Sequence, residues 1–185
     1  MAEEIKEKVA QLGITINPLN ESDIEQFDSI LRQHVRDRDT GEILEKEIAN
    51  IKGYMRGIPD EGGGRIRKYL VAKTADGEVV GCMAYSTLDK DMVNHFKDVD
   101  PNQAAELLNA FVDSELFRGG GVGKKLFDAI CDVVRAEGKK YLLINSGPRY
   151  KRSWGFYDRM SSKNKGFIKG KYGKGGDANT WIKYL

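Results

Sequence analysis

A run of glycines between an apolar segment and an amphipathic one constrains this chain more than any other feature. The apolar segment covers residues 107–112, and the sequence Arg-Gly-Gly-Gly-Val-Gly occupies residues 118–123. The apolar positions that follow recur with the spacing of one helix face, at Leu126, Phe127, Ile130, Val133 and Val134. An order of strand, glycine loop and helix predicts a phosphate site, because glycines let the backbone approach a ligand and a helix N-terminus carries a partial positive charge.

The spacing of the glycines separates three kinds of phosphate-binding loop. A nucleoside-triphosphate loop needs a glycine, four residues, then Gly-Lys-Ser/Thr, which would require glycine at Arg118 and a hydroxyl at Lys125. A dinucleotide fingerprint, Gly-x-Gly-x-x-Gly, fails from either starting glycine. The spacing that fits is Arg/Gln-x-x-Gly-x-Gly/Ala, which is filled by Arg118, Gly121 and Gly123. Enzymes that use nucleoside triphosphates are therefore disfavoured.

This loop resembles the pyrophosphate loop of the GNAT superfamily of acyl-CoA N-acyltransferases, and its surroundings support the resemblance. Gly138 offers a cap for the end of the helix, and the apolar residues 141–144 indicate a buried parallel strand. Residues 153–160 resemble the late helix of the family, with a small residue before a Phe-Tyr pair. The resemblance covers residues 68–185, while residues 1–67 add a compatible order of elements.

The order of predicted elements is strand, two helices, hairpin, strand, glycine loop, helix, strand, helix, strand. The hairpin turn is predicted at Asp76-Gly77, and periodicity alone indicates an α/β fold with a mixed sheet. The resemblance implies a GNAT-like, mostly antiparallel sheet with splayed parallel fourth and fifth strands and helices on both faces. At this length we expect one N-acetyltransferase domain, residues 1–185.

The resemblance also implies acetyl-CoA as cosubstrate and assigns residues to it. The main-chain N–H groups of the loop would hold the diphosphate, with charge added by Arg118 and Lys124. The backbone around Val112 would meet the pantetheine arm and polarise the thioester carbonyl, and the loop after residue 144 would line the site. The predicted cofactor-binding residues are Val112, Arg118, Gly119, Gly120, Gly121, Val122, Gly123, Lys124 and Asn145.

Two residues are predicted to move protons. Tyr157 matches the tyrosine that lies near the thioester sulfur in the family, where it acts as a general acid, and the alternative is a core tyrosine beside Phe156. Glu106 begins the strand that ends at Val112, and a glutamate near that place is the base in some family members. The alternative for Glu106 is a solvated carboxylate at the start of a strand.

The leading prediction is an N-acetyltransferase that moves an acetyl group from acetyl-CoA to a small-molecule or peptide amine by direct attack in a ternary complex. One alternative is a non-catalytic regulator that binds acyl-CoA through the same loop. Another is an RNA-associated acetyltransferase using residues 149–174, which are basic and rich in aromatic side chains. A solvated face is the favoured interpretation of that segment, and a homodimer is left open.

Several classes are disfavoured by what the chain lacks. No apolar run approaches a membrane span, and the first residues do not resemble a secretion signal, so we expect a cytoplasmic protein. The two cysteines, Cys82 and Cys131, are far apart and fit no metal-binding spacing. The two histidines, His34 and His95, have too few partners for a metal site, so no metal is expected.

Overall fold

The computed structural model describes residue 7 and residues 12–61, 64–114 and 119–185. Seven strands form a sheet in the order β1-β2-β3-β4-β5-β7-β6. Their bounds are β1 (Thr15–Pro18), β2 (Lys68–Lys73), β3 (Val79–Ser86), β4 (Ala104–Val112), β5 (Tyr141–Ser146), β6 (Lys163–Ile168) and β7 (Ala178–Tyr184). β4 and β5 are parallel, whereas β1–β2, β5–β7 and β6–β7 are antiparallel. The predicted mixed α/β fold is therefore confirmed.

Five α-helices accompany these strands in the described part of the chain. They are α1 (Asp28–His34), α2 (Glu45–Met55), α3 (Lys90–His95), α4 (Val122–Ala136) and α5 (Trp154–Met160). Three 3₁₀ helices span Glu21–Phe27, Pro101–Gln103 and Pro148–Ser153. The glycine loop therefore leads into the longest of these helices, α4, as the apolar periodicity predicts.

The chain divides into two compact units. The first unit comprises residues 1–84 and 109–130, and the second comprises residues 85–108 and 131–185. The expectation of a single domain stays a prediction.

The core of the first unit is built on an apolar stripe along the Glu21–Phe27 helix and α1. Its fully buried side chains include Ile24, Phe27, Ile30 and Leu31, each with at most 1% of its surface exposed. The stripe begins at Asn20, whose backbone N–H donates to the Asp23 carboxylate at 2.9 Å and so closes a capping box. Burial of this apolar face holds the short helices in place, because helices of this length are marginal alone.

The end of β4 in the first unit is irregular and tightly packed. Asn109 has a φ of +42°, and its side-chain oxygen accepts hydrogen bonds from the Tyr69 hydroxyl, at 2.9 Å, and from the Arg67 guanidinium. A Cβ at Gly81 on β3 would lie 2.8 Å from the carbonyl oxygen of Phe111, so only glycine fits there. The backbones of β3 and β4 therefore approach closely just before the glycine loop.

The core of the second unit surrounds Trp181 on β7, which is fully buried. Its indole N–H donates to Asp158 at 2.7 Å, and its ring lies 5.3 Å from that of Tyr157. The parallel ladder between β4 and β5 runs from Ala104↔Tyr141 to Leu107↔Ile144 and ends there, although both strands continue. An early end to this ladder is what a splayed pair of strands requires.

Two elements were not predicted. The predicted order has no helix at α3, which begins where the Asp89 carboxylate accepts the Met92 N–H at 2.8 Å. The predicted order also has no strand at β6, whose polar Lys-Asn-Lys-Gly sequence has low strand propensity. Pairing with β7 nevertheless orders it, with a bulge between Asn164 and Gly166.

Candidate active site

The glycine loop has the backbone geometry of an anion cradle. Gly119 and Gly121 have φ values of +84° and +86°, and a Cβ at either would meet nothing within 4 Å. Glycine is therefore required by the backbone conformation rather than by lack of space. α4 begins directly after Gly121, whose carbonyl accepts the Lys125 N–H at 3.0 Å. The first N–H groups of α4 have no acceptor within the helix, and these residues fit a diphosphate.

The structure describes only some of the residues predicted to bind the cofactor at this loop. Lys124 is exposed, and its ammonium group lies 2.5 Å from the Asp128 carboxylate one turn along α4. Arg118 lies outside the described residues. Gly120 and Val122 are buried where α4 starts. The cofactor-binding roles of all these residues stay predictions.

α1 fixes the end of β4 that precedes the loop. The His34 ring nitrogen Nε2 lies 2.7 Å from the Val112 carbonyl oxygen, and the ring lies 5.7 Å from that of Phe111. The neighbouring Gln33 accepts hydrogen bonds from the Ser114 N–H at 3.0 Å and from its hydroxyl at 3.1 Å. Sequence reasoning missed both residues, since neither stands in a motif.

Glu106 is buried in the second unit, with 1% of its surface exposed, so the alternative of a solvated carboxylate is wrong. Its Oε1 accepts a hydrogen bond from Asn145 Nδ2 at 2.8 Å, and its Oε2 accepts the Asp89 backbone N–H at 2.9 Å. A buried carboxylate is stabilised in its charged form by such donors. The structure thus brings together two predicted site residues, Glu106 and Asn145.

The loop between β6 and β7 completes this polar group. The Tyr172 hydroxyl donates to Asn145 Oδ1 at 2.5 Å, and the Lys171 ammonium pairs with the Asp89 carboxylate. A Cβ at Gly147 would lie 2.7 Å from the Tyr172 ring, so the absence of a side chain at this position lets the ring pack against the backbone. Although more than half of Tyr172 is exposed, burial of its hydroxyl end raises its pKa, with Glu106 and Asp89 adding to the effect.

Tyr157 lies in an apolar part of the second unit. Its ring packs edge-on against Phe156, with centroids 5.4 Å apart, and beside Trp181. Burial raises the pKa of its hydroxyl, so the group keeps its proton at neutral pH. Both the general acid and the core tyrosine are compatible with these contacts.

The basic segment 149–174 is less free than its composition suggests. Lys171 has only 7% of its side chain exposed and lies between Asp89 and Asp91, with its Nζ 3.4 Å from an Asp91 oxygen. Lys169 pairs with Asp177 at 2.6 Å. These contacts favour a structural role for part of the segment over a continuous surface for nucleic acid.

Comparison with solved structures gives the class of fold. An acetyltransferase of the GNAT family from Desulfovibrio desulfuricans has 15% identity and a TM-score of 0.68, over 93% of this chain and 99% of that one. An acetyltransferase from Streptococcus agalactiae 2603 has 19% identity and a TM-score of 0.63, over 94% and 99%. An N-acetyltransferase from Staphylococcus aureus Mu50 has 14% identity and a TM-score of 0.64, over 93% and 98%. At these identities the likeness shows the fold.

The family follows from a match over most of the chain. Residues 23–161 match the model of the acetyltransferase (GNAT) family. The chain therefore belongs to the GNAT acetyltransferase family, and the resemblance seen in the glycine loop is confirmed. No curated protein matches the sequence. Among the described helices, none is both long and apolar enough to cross a membrane.

Proposed function

We propose that this protein is an acetyl-CoA-dependent N-acetyltransferase that acts on a primary amine by direct attack in a ternary complex. The observation that carries the proposal is the cradle formed by Gly119 and Gly121 at the start of the 15-residue helix α4. In a chain of the GNAT family, this cradle is suited to the diphosphate of coenzyme A. We keep residues 1–185 as a single N-acetyltransferase domain within this proposal.

The chain's part in the chemistry is to hold the acyl donor and move protons. Acetyl-CoA, when bound, supplies an acyl thioester. The amine nitrogen attacks the carbonyl carbon, a C–N bond forms as the C–S bond breaks, the amine loses a proton, and the thiolate gains one. We assign the proton donated to the thiolate to Tyr157, whose raised pKa keeps it in the acid form.

Glu106 remains the sequence-based prediction for the base. Both its carboxylate oxygens already accept hydrogen bonds, which suits a fixed negative charge as well as a base. Asn145 remains a predicted cofactor ligand, although its amide is engaged by Glu106 on one side and by Tyr172 on the other. We propose that this group orients a cationic or polar acceptor.

The strength of the base bears on the class of acceptor. A lysine side chain with a pKa near 10.4 is neutral in about one molecule in a few thousand at pH 7, whereas an α-amine near 8 is neutral in about one in ten. An α-amine or another weakly basic amine therefore needs less help to lose its proton. We place such amines first in the panel of acceptors.

The test is thiol release from acetyl-CoA across a panel of amines, with calorimetry of coenzyme A binding. Gly121→Glu combines a strained backbone with repulsion of the diphosphate, so we expect a loss of affinity of about 100-fold or more. Gly77→Glu is the matched control, because Gly77 also has a positive φ of +85° with no neighbour within 4 Å of its Cβ.

The control should keep wild-type affinity despite a similar loss of stability. Equal turnover and equal binding by the wild type and Gly121→Glu would remove the assignment of the loop. Binding of coenzyme A without turnover of any amine would instead favour the non-catalytic regulator.

A further inference from the structure

His34 is held against the strand end that is proposed to meet the thioester. It is the last residue of α1, and its Nε2 lies 2.7 Å from the Val112 carbonyl oxygen. A carbonyl oxygen can only accept a hydrogen bond, so Nε2 carries the proton of the neutral imidazole. The lone pair of the ring then lies on Nδ1. Among the described residues, none forms a hydrogen bond with Nδ1.

The direction of the backbone places this imidazole on the edge of β4 that faces away from β3. The Asp113 N–H donates to the Val80 carbonyl at 2.9 Å, so the polar groups of Asp113 face β3. In extended backbone, consecutive residues direct their N–H and C=O groups to opposite edges. Both groups of Val112 therefore point to the other edge, which is where the imidazole lies. The backbone around Val112 is proposed to polarise the thioester carbonyl.

We infer that His34 is a catalytic residue: Nδ1 accepts the proton that the attacking amine loses as the C–N bond forms. The inference rests on the proposed function and deepens it. The electron pair of the broken C–S bond stays on sulfur, and the thiolate takes its proton from a separate acid. The Val112 carbonyl orients the ring and selects the tautomer with a free Nδ1, as hydrogen-bonded partners do for other working histidines.

His34 suits this role better than Glu106 does. Imidazole changes its protonation between pH 5 and 8, where a general base at neutral pH is most effective. His34 is partly exposed, whereas Glu106 is buried with both oxygens hydrogen-bonded.

The charged groups near His34 contact other partners. The Asp113 carboxylate, just after β4, lies 3.4 Å from the Gln33 amide nitrogen. Arg32, on the same helix, is bound to the carboxylates of Asp28 and Glu45. Arg36 follows the helix, and its Nε donates to the Arg32 carbonyl at 2.8 Å.

The experiment compares pH profiles of kcat/KM for the wild type, His34→Gln, His95→Gln and Glu106→Gln. Glutamine at residue 34 keeps an N–H donor for Val112 but cannot accept the proton. We expect His34→Gln to lose about 10²- to 10⁴-fold in kcat/KM and the acid limb between pH 5 and 8, with coenzyme A affinity unchanged. His95 is the matched control, because this second histidine contacts Thr180 in the other unit and should not affect the profile.

A second readout does not depend on activity. Nitrogen NMR should show the tautomer protonated at Nε2 for His34, with His95→Gln assigning the two rings. A His34→Gln enzyme that keeps its rate and its acid limb would overturn the inference, and so would a tautomer protonated at Nδ1. Loss of the limb in Glu106→Gln alone would return the role to Glu106. A wild type that binds coenzyme A but acetylates no amine would overturn the proposed function, and the inference with it.

Discussion

At the scale of single residues, Tyr157 shows how burial keeps a side chain in its protonated form. Its ring packs against those of Phe156 and Trp181, and desolvation raises the pKa of its hydroxyl. A group of this kind stays protonated across the working range of pH, so it cannot serve as a base, and as an acid it is weaker than an exposed tyrosine.

Tyr157→Phe should therefore lower kcat by about 10²-fold while leaving the KM for acetyl-CoA nearly unchanged. Phenylalanine keeps the ring contacts and removes only the hydroxyl, so stability should change little. The matched control is Tyr141→Phe, since the Tyr141 ring also packs edge-on, 6.0 Å from that of Tyr184. Steady-state kinetics of thiol release measures both variants. An unchanged kcat in Tyr157→Phe would leave Tyr157 as a core residue.

The site residues that can be predicted from sequence are those that belong to a local sequence pattern. The glycine loop can be predicted because Gly121 and Gly123 stand at a fixed spacing before a helix with periodic apolar residues. His34 and Val112 are 78 residues apart, and no local pattern records that they meet. The Tyr172 contact with Asn145 spans 27 residues. It depends on glycines at which a Cβ would clash with Tyr172, and this clash cannot be read from the sequence.

At the scale of elements, α1 and α2 are linked by a network of charges. Asp28 accepts hydrogen bonds from Arg32, at 2.6 Å on the same helix, and from Lys52 on α2, at 2.9 Å. The Arg32 and Lys52 bonds hold the pKa of Asp28 below its usual range. The Lys52 bond, followed by its charge, likewise lowers the pKa of Glu25.

This network should make stability depend on pH on the acid side. The folded-state pKa of each carboxyl is below its unfolded value, so the stabilisation is present above about pH 4.5 and is lost as pH falls through the folded values. Lys52→Met should reduce the difference in the free energy of unfolding between pH 6 and pH 3, measured with urea. Lys174→Met, at an exposed loop residue, is the control and should keep the wild-type difference. An equal difference in all three proteins would contradict the role of the network.

The elements that sequence predicts are those with strong local signals. α1, α2 and the β2–β3 hairpin follow from apolar periodicity and from Asp76-Gly77, and Gly77 has the expected positive φ. α3 is six residues long, too short for a periodic pattern. β6 is polar and mostly exposed, so only its pairing with β7 makes it a strand.

At the scale of the whole molecule, the fold persists where identity has fallen to 15% over 93% of the chain. Such likeness survives because a fold depends on the order of elements and on which positions are apolar, and many sequences satisfy both. The acceptor is not encoded in this shared pattern, so it has to come from the side chains of this chain.

Binding of coenzyme A should stabilise the folded protein through mass action. A ligand at 100 times its dissociation constant adds about 2.7 kcal/mol, which for a chain of this size raises the melting temperature by roughly 5 to 10 °C. Pantetheine, which lacks the diphosphate, should give a much smaller shift at the same concentration. Differential scanning fluorimetry measures both, and equal shifts for the two ligands would argue against the diphosphate as the main anchor.

The left-handed Asn109 has a consequence for any attempt to make this protein more heat-resistant. A non-glycine residue at positive φ stores strain of about 1 kcal/mol, which Asn109→Gly would release. The same exchange would remove the side-chain oxygen that accepts hydrogen bonds from Tyr69 and Arg67. It would also loosen β4 just before Val112. Two largely buried donors left without an acceptor cost more than the strain released, so Asn109→Gly should lower the melting temperature, and selection for heat resistance should retain Asn109.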